Sequence, residues 1–154
     1  MKKVLESTAK IRFQDCDPFN HLNNSKYLDY FINAREDQVL DHYNIDIFKM
    51  IRTEYKGWVV MSNQIAYFKP AITMENVVIE SQVIAFNDKQ LKIELRMYNH
   101  NKTELKSFAW TNFMHFDLQT QKSTNHSEQL MSLFTNVNNP VGSVNFEERM
   151  QNIK

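Results

Sequence analysis

Asp15-Cys16-Asp17-Pro18-Phe19-Asn20-His21-Leu22-Asn23-Asn24 is the stretch of this chain richest in side chains that do chemistry. Two carboxylates, an imidazole and three amides fall within ten residues. Pro18 fixes its own φ and biases Asp17 toward an extended conformation, so the second carboxylate sits on a stiffened loop. A loop this dense in polar and ionisable side chains is a candidate site. The stretch runs into the first residues of a helix, whose unpaired N–H groups and positive dipole end suit a developing negative charge or a bound carbonyl oxygen. Cys16 is a poor rival nucleophile, because its acidic neighbours disfavour the thiolate. A metal reading fails on spacing. A calcium loop needs a further oxygen ligand where Phe19 stands and a glycine where Asn20 stands, and His42, His100, His115 and His126 lack zinc-ligand spacing.

The elements that must position this loop are legible around it. Lys10-Ile11-Arg12-Phe13 alternates polar and apolar, the period of a half-buried strand entering the loop. On its far side, Tyr27, Leu28, Phe31, Ile32, Ala34, Val39, Leu40 and Tyr43 recur at three- and four-residue steps, which predicts a helix over residues 25–43. Asn23, Asn24 or Ser25 supplies its N-cap. Lys26, Asp29, Asn33, Glu36, Asp37 and Asp41 fill the polar side, and Arg35 and Glu36 read as solvated or interface charges. After an irregular connection, strands are expected over residues 57–69, 76–86, 90–98 and 103–118. Turns fall at Asn87-Asp88-Lys89 and Asn99-His100-Asn101-Lys102. In the third of these strands Leu91, Ile93, Leu95 and Met97 alternate with Lys92, Glu94 and Arg96. A short helix is expected near residues 128–134, and residues 136–144 read as a loop or arm. One strand, one long helix and four consecutive strands favour an antiparallel α+β fold over a doubly wound parallel sheet.

The bounds agree. With 154 residues and 42% hydrophobic content, the whole of 1–154 is expected to form one domain. Eighteen basic and eighteen acidic side chains cancel, which leaves no whole-chain field to recruit nucleic acid or an anionic membrane. One cysteine excludes an intrachain disulfide framework. Glu6, Ser7 and Thr8 interrupt any apolar run after Met-Lys-Lys, and no stretch is long and apolar enough to span a bilayer, so a cytoplasmic location without membrane insertion is expected. The chain's two glycines, Gly57 and Gly142, form no phosphate-cradling loop.

Ile11-Arg12-Phe13-Gln14-Asp15-Cys16-Asp17-Pro18, His21-Leu22-Asn23-Asn24, Tyr27-Leu28 and Ala34-Arg35 together resemble the signature of the hotdog-fold acyl-CoA thioesterases, the 4-hydroxybenzoyl-CoA thioesterase-like family. The resemblance implies a long central helix wrapped by a curved antiparallel sheet of five or six strands. It also implies a homodimer, or a dimer of dimers, with active sites at the subunit interface. The reaction it implies is hydrolysis of an acyl-CoA or acyl carrier protein thioester to acid and thiol. No cofactor is implied, since coenzyme A is part of the substrate. Asp17 takes the place of the catalytic carboxylate, as nucleophile or general base. The backbone N–H at Asn24 polarises the thioester carbonyl, and His21 orients Asp17 or the water. Asn23 is placed to hydrogen-bond the loop or substrate, with Tyr27, Phe31 and Trp58 as acyl-pocket walls. Lys69 and Lys89 are the nearest candidates for pantetheine or phosphate contacts.

The segment after Asp17 departs from the founding branch and is closer to members that act on fatty-acyl thioesters. Each residue also has a plainer role: Asp17 as loop cap, Asp15 as a strand-end carboxylate, His21 as a loop brace, Asn23 and Asn24 as helix caps, and the aromatics as core. Two other functions fit the same fold. One is a 3-hydroxyacyl-thioester hydratase or dehydratase, whose motif is one residue shorter and has asparagine where Asp17 stands. The other is a non-catalytic acyl-thioester binding module.

Overall fold

A computed structural model describes residues 1–153. Its elements are β1 (Leu5–Lys10), α1 (Tyr27–Tyr43), α2 (Ile47–Glu54), β2 (Lys56–Tyr67), β3 (Asn76–Phe86), β4 (Gln90–Tyr98), β5 (Leu105–Asp117), β6 (Lys122–Ser123), α3 (Glu128–Val137) and α4 (Phe146–Asn152). The strands form one antiparallel sheet in the order β1-β3-β4-β5-β2, with β6 on the end of β5. The sheet curves around α1, which packs on β1, β3 and β4.

Local chemistry sets the ends of these elements. The Asn23 side chain accepts the Ser25 N–H and starts a 3-10 turn, Asn24–Lys26, that leads into α1. α1 stops at Asn44, which adopts the left-handed conformation (φ 56°) that asparagine tolerates, and the Asn44 N–H bonds the Val39 carbonyl. The expected turns use their asparagines directly. Asn87 accepts from the N–H groups of Lys89 and Gln90, and Asn99 accepts from that of Glu104.

Phe31 of α1 is fully enclosed by the inner face of the sheet, where Ile79, Ile93, Leu95, Met97 and Ala109 are likewise buried. Each large apolar side chain buried here stabilises the fold by about 1.5–3 kcal/mol. The α+β class and the strand-helix-strand order thus agree with the sequence, but several details differ. The first strand ends at Lys10, where it was expected to begin, because its pairing with β3 runs out at Asn76. Phe13–Asp15 is a 3-10 turn with Phe13 exposed. The irregular connection holds α2, capped by Asp46 accepting the Lys49 N–H. Arg35 is neither solvated nor in a charge pair among the described residues: it is buried on the sheet-facing side of α1.

A further difference lies on the outer face. The polar side of β4 is covered by the C-terminal arm. Phe146 of α4 stacks on Phe108 with ring centroids 4.6 Å apart and meets Trp110 edge-on at 5.5 Å. Beside them Glu94, which is 0% exposed, accepts from Arg96 at 2.6 Å, from Trp110 at 2.9 Å, and from Arg149 of α4 at 2.8 and 2.7 Å. Burial alone raises the Glu94 carboxyl pKa; the bonds from Arg149 and Trp110 and the Arg96 charge outweigh it and hold the pKa below the ordinary value.

Candidate functional site

The loop before α1 closes on itself through Asp17. The Asp17 N–H donates to the His21 carbonyl at 2.8 Å, and Asp17 Oδ1 accepts the N–H groups of Phe19 at 2.9 Å and His21 at 3.2 Å. Asn20 sits at φ 63°, a left-handed position that an asparagine occupies at low cost. Short bridges tie Cys16 to Leu22 and His21 to Ile72. Asp17 Oδ2 has no hydrogen-bond partner among the described residues. The carboxylate is half-buried, with one oxygen bound to the loop and the other free to meet a ligand.

Asp15 has the bracing role. Its Oδ2 accepts the Tyr30 hydroxyl at 2.6 Å, the Tyr30 oxygen accepts the Arg12 N–H, and the Asn23 N–H bonds the Asp15 carbonyl. Burial first, and then the bond to Asp15, push the Tyr30 phenol up to about 12. This clamp holds the loop against α1.

The start of the helix offers an open donor. Asn23 caps the Ser25 N–H, and the Lys26 N–H returns to the Asn23 carbonyl. The Asn24 N–H has no partner among the described residues, and Asn24 is exposed. The Asn24 carbonyl accepts the Tyr67 hydroxyl at 3.0 Å. Tyr67 is a neighbour of the site that no local pattern could reveal, since it comes from β2 and meets Tyr27 edge-on at 5.0 Å.

The remaining expected site residues separate. His21 meets Asp17 through the main chain, and no hydrogen bond joins its imidazole to the carboxylate. Tyr27 and Phe31 are core, 3% and 0% exposed, with the Tyr27 hydroxyl accepting the Ala71 N–H. Trp58 lines a cavity of about 70 Å³ between α1, α2, α3 and the sheet, together with Val39, Ile93 and Phe134. Lys69 is paired with Glu104 at 2.6 Å. Among the described residues no group of three His, Cys, Asp or Glu side chains could hold a metal ion.

Trp58 also belongs to a histidine stack. Its ring lies 4.6 Å from His115, and its Nε1–H donates to His126 Nε2 at 3.0 Å. His126 Nδ1 lies 3.1 Å from the Asn87 carbonyl, which assigns the proton to Nδ1 of a neutral ring. His115 Nδ1 is buried without a hydrogen-bond partner among the described residues. Burial, and then electrostatic competition with the neighbouring His126 for a proton, push His115 down to about 4. A base whose folded pKa is depressed favours folding in its neutral form. Its contribution is complete above about pH 6.5 and is lost as pH falls toward 4, a change of about 3 kcal/mol. Urea midpoints at pH 7 and pH 4.5 should therefore diverge less in His115→Asn than in the wild type. Equal pH slopes in the two proteins would remove this histidine from the account.

The curved sheet around one long helix, with a carboxylate loop feeding the helix start, defines the hotdog-fold class of thioesterases. Residues 11–134 match the model of the thioesterase-like superfamily, and the chain belongs to that family. It is 27% identical over 119 residues to the long-chain acyl-CoA thioesterase FadM of Escherichia coli K12, an alignment covering 77% of this chain and 88% of that protein. Among solved structures, Staphylococcus aureus SAV2348 in complex with CoA superposes with a TM-score of 0.81 at 14% identity, covering 97% of this chain and 94% of that one. Synechocystis Slr0204, a 1,4-dihydroxy-2-naphthoyl-CoA thioesterase, gives 0.78 at 12% identity, covering 89% and 99%. At such identities these two structures speak for the fold alone.

Proposed function

We propose that this protein hydrolyses an acyl-CoA thioester, with Asp17 as the catalytic carboxylate and the Asn24 N–H as donor to the carbonyl oxygen. The observation that carries this is that one loop leading into the long helix holds both an Asp17 Oδ2 and an Asn24 N–H without a hydrogen-bond partner among the described residues. The likeness to FadM, an acyl-CoA thioesterase, supports the substrate class. During attack the thioester oxygen gains negative charge, and a donor already oriented by the fold meets it without reorganisation. Asp17 attacks the carbonyl carbon or takes a proton from the attacking water. The C–S bond then breaks, the thiol leaves with a proton, and one water is consumed per acid released. Acyl carrier protein is the alternative carrier of the same thioester. Thiol release from short, medium, long and aromatic acyl-CoAs is the test: turnover of one class supports the reading, and no turnover on any acyl-CoA or acyl carrier protein thioester removes it.

We propose further that the working unit is a homodimer joined along β2. Among the described residues that strand pairs only with β5, and Val59, Val60 and Met61 on it are 39–56% exposed. An apolar free edge of this length is a hazard unless another chain covers it. Light scattering should show a wild-type dimer and a monomeric Met61→Lys. A variant that stays dimeric would move the interface elsewhere.

A further inference from the structure

Tyr67 closes β2 opposite Ser107 of β5 and is 45% exposed, so its ring is not held there by burial. Its hydroxyl nevertheless reaches 43 residues back along the chain to donate to the Asn24 carbonyl at 3.0 Å. The ring is set by Tyr27, which meets it edge-on with centroids 5.0 Å apart and an interplanar angle of 74°. Tyr27 is fixed in turn, since it is buried and its hydroxyl accepts the Ala71 N–H at 3.2 Å. Burial raises the Tyr67 phenol pKa above its ordinary value, which keeps the hydroxyl a donor throughout the neutral range.

What this bond does follows from the turn it lands on. The Asn24 carbonyl and the Ser25 N–H belong to one planar peptide unit. Tyr67 holds the oxygen of that unit, and Asn23 Oδ1 holds its N–H at 3.0 Å. On the other side of the Asn24 Cα, the Asn23 carbonyl accepts the Lys26 N–H at 2.9 Å, and the Asn23 N–H donates to the Asp15 carbonyl at 2.9 Å. From Asn23 to Lys26 the Asn24 N–H is therefore the one main-chain donor without a partner among the described residues, and the peptide units on both sides of it are pinned. Three of these four bonds are made within residues 15–26. The fourth, from Tyr67, ties the turn to the sheet. The first turn of a helix frays unless something outside it holds it.

We propose that Tyr67 is a positioning residue for thioester hydrolysis: by holding the Asn24 carbonyl against the sheet, its hydroxyl fixes the direction in which the Asn24 N–H meets the thioester oxygen. The inference rests on the thioesterase reading of the site and adds to it a residue that touches neither the acyl group nor Asp17. A donor aimed at developing charge contributes to rate only as far as the fold orients it beforehand. Its bond to the oxygen strengthens as charge develops, so a loss of aim falls on kcat and leaves KM unchanged.

The test compares Tyr67→Phe with Tyr43→Phe, each with a melting curve to verify folding. Tyr43→Phe removes a bond of the same kind at the far end of α1, where the Tyr43 hydroxyl donates to the Lys2 carbonyl at 2.6 Å, and so controls for a general loosening of the helix. On the acyl-CoA that the wild type hydrolyses best, Tyr67→Phe should lose about tenfold in kcat at unchanged KM, the rate equivalent of one hydrogen bond. Tyr43→Phe should keep the wild-type kcat. Backbone amide relaxation without substrate should give Asn24 an order parameter of about 0.85, the value of rigid backbone, in the wild type and in Tyr43→Phe, and a lower one in Tyr67→Phe alone. Wild-type kcat in Tyr67→Phe, a loss carried by KM, an equal loss in Tyr43→Phe, or an Asn24 amide that stays rigid in Tyr67→Phe would overturn the proposal and leave hydrolysis in place. A wild type that turns over no acyl thioester would overturn the catalytic reading, and the role of Tyr67 with it.

Discussion

Asp17→Asn is expected to lower kcat for thioester hydrolysis by about 10²- to 10⁴-fold, the range for loss of a positioned base, while leaving the melting curve close to that of the wild type. The separation follows from how the two carboxylate oxygens are used. Oδ1 accepts the Phe19 and His21 N–H groups, and an asparagine oxygen accepts the same two bonds. Only Oδ2, which has no partner among the described residues, is replaced by an amide that neither attacks a carbonyl nor takes a proton. Asp17→Ala removes both functions and confounds them. Single-turnover thiol release on the best substrate, measured beside circular dichroism melting, decides the matter. Full activity in Asp17→Asn would reduce the residue to a loop cap, the plainer role that its hydrogen bonds already support.

The second large effect is on stability. Glu94→Gln should cost about 3–5 kcal/mol in urea unfolding, the usual cost of removing one partner from a buried charge cluster. Arg96 retains Glu80 and Gln82, but Arg149 loses its only carboxylate among the described residues. The penalty therefore falls on the attachment of α4. Trp110 reports it, since its indole N–H donates to Glu94 and its ring meets Phe146, so its emission should shift before the global transition. A loss below about 1 kcal/mol, a typical value for exposed pairs, would mean that the cluster is open to water.

The sequence revealed this protein unevenly, and the reasons are physical. Strands β3 and β4 were legible to the residue because period-two alternation and asparagine turns are local signals. The loop at Asp17 stood out because its chemistry is contiguous. Tyr67, which touches the Asn24 carbonyl, was invisible because nothing local links β2 to the start of α1. Arg35 was misplaced for a related reason. Helical periodicity sorts side chains by polarity, and a charged residue on the inner face looks like one on the outer face until its neighbours are known. The same holds for Glu94 and Arg96: clean alternation on β4 implied one wet face, and only the folded arm shows that both faces are dry.

The match to the superfamily ends at residue 134, whereas Phe146 and Arg149 lie beyond it. Homology and foldability thus draw different boundaries on this chain. A fragment trimmed to the shared region keeps the Asp17 loop and α1, yet it bares the Phe108 and Trp110 rings and strips Glu94 of a guanidinium. Such a fragment carries the reaction's parts on a sheet with a sticky, charged back. Anyone preparing this protein for grafting, fusion or directed evolution has to treat the last turn of chain as part of the enzyme's foundations.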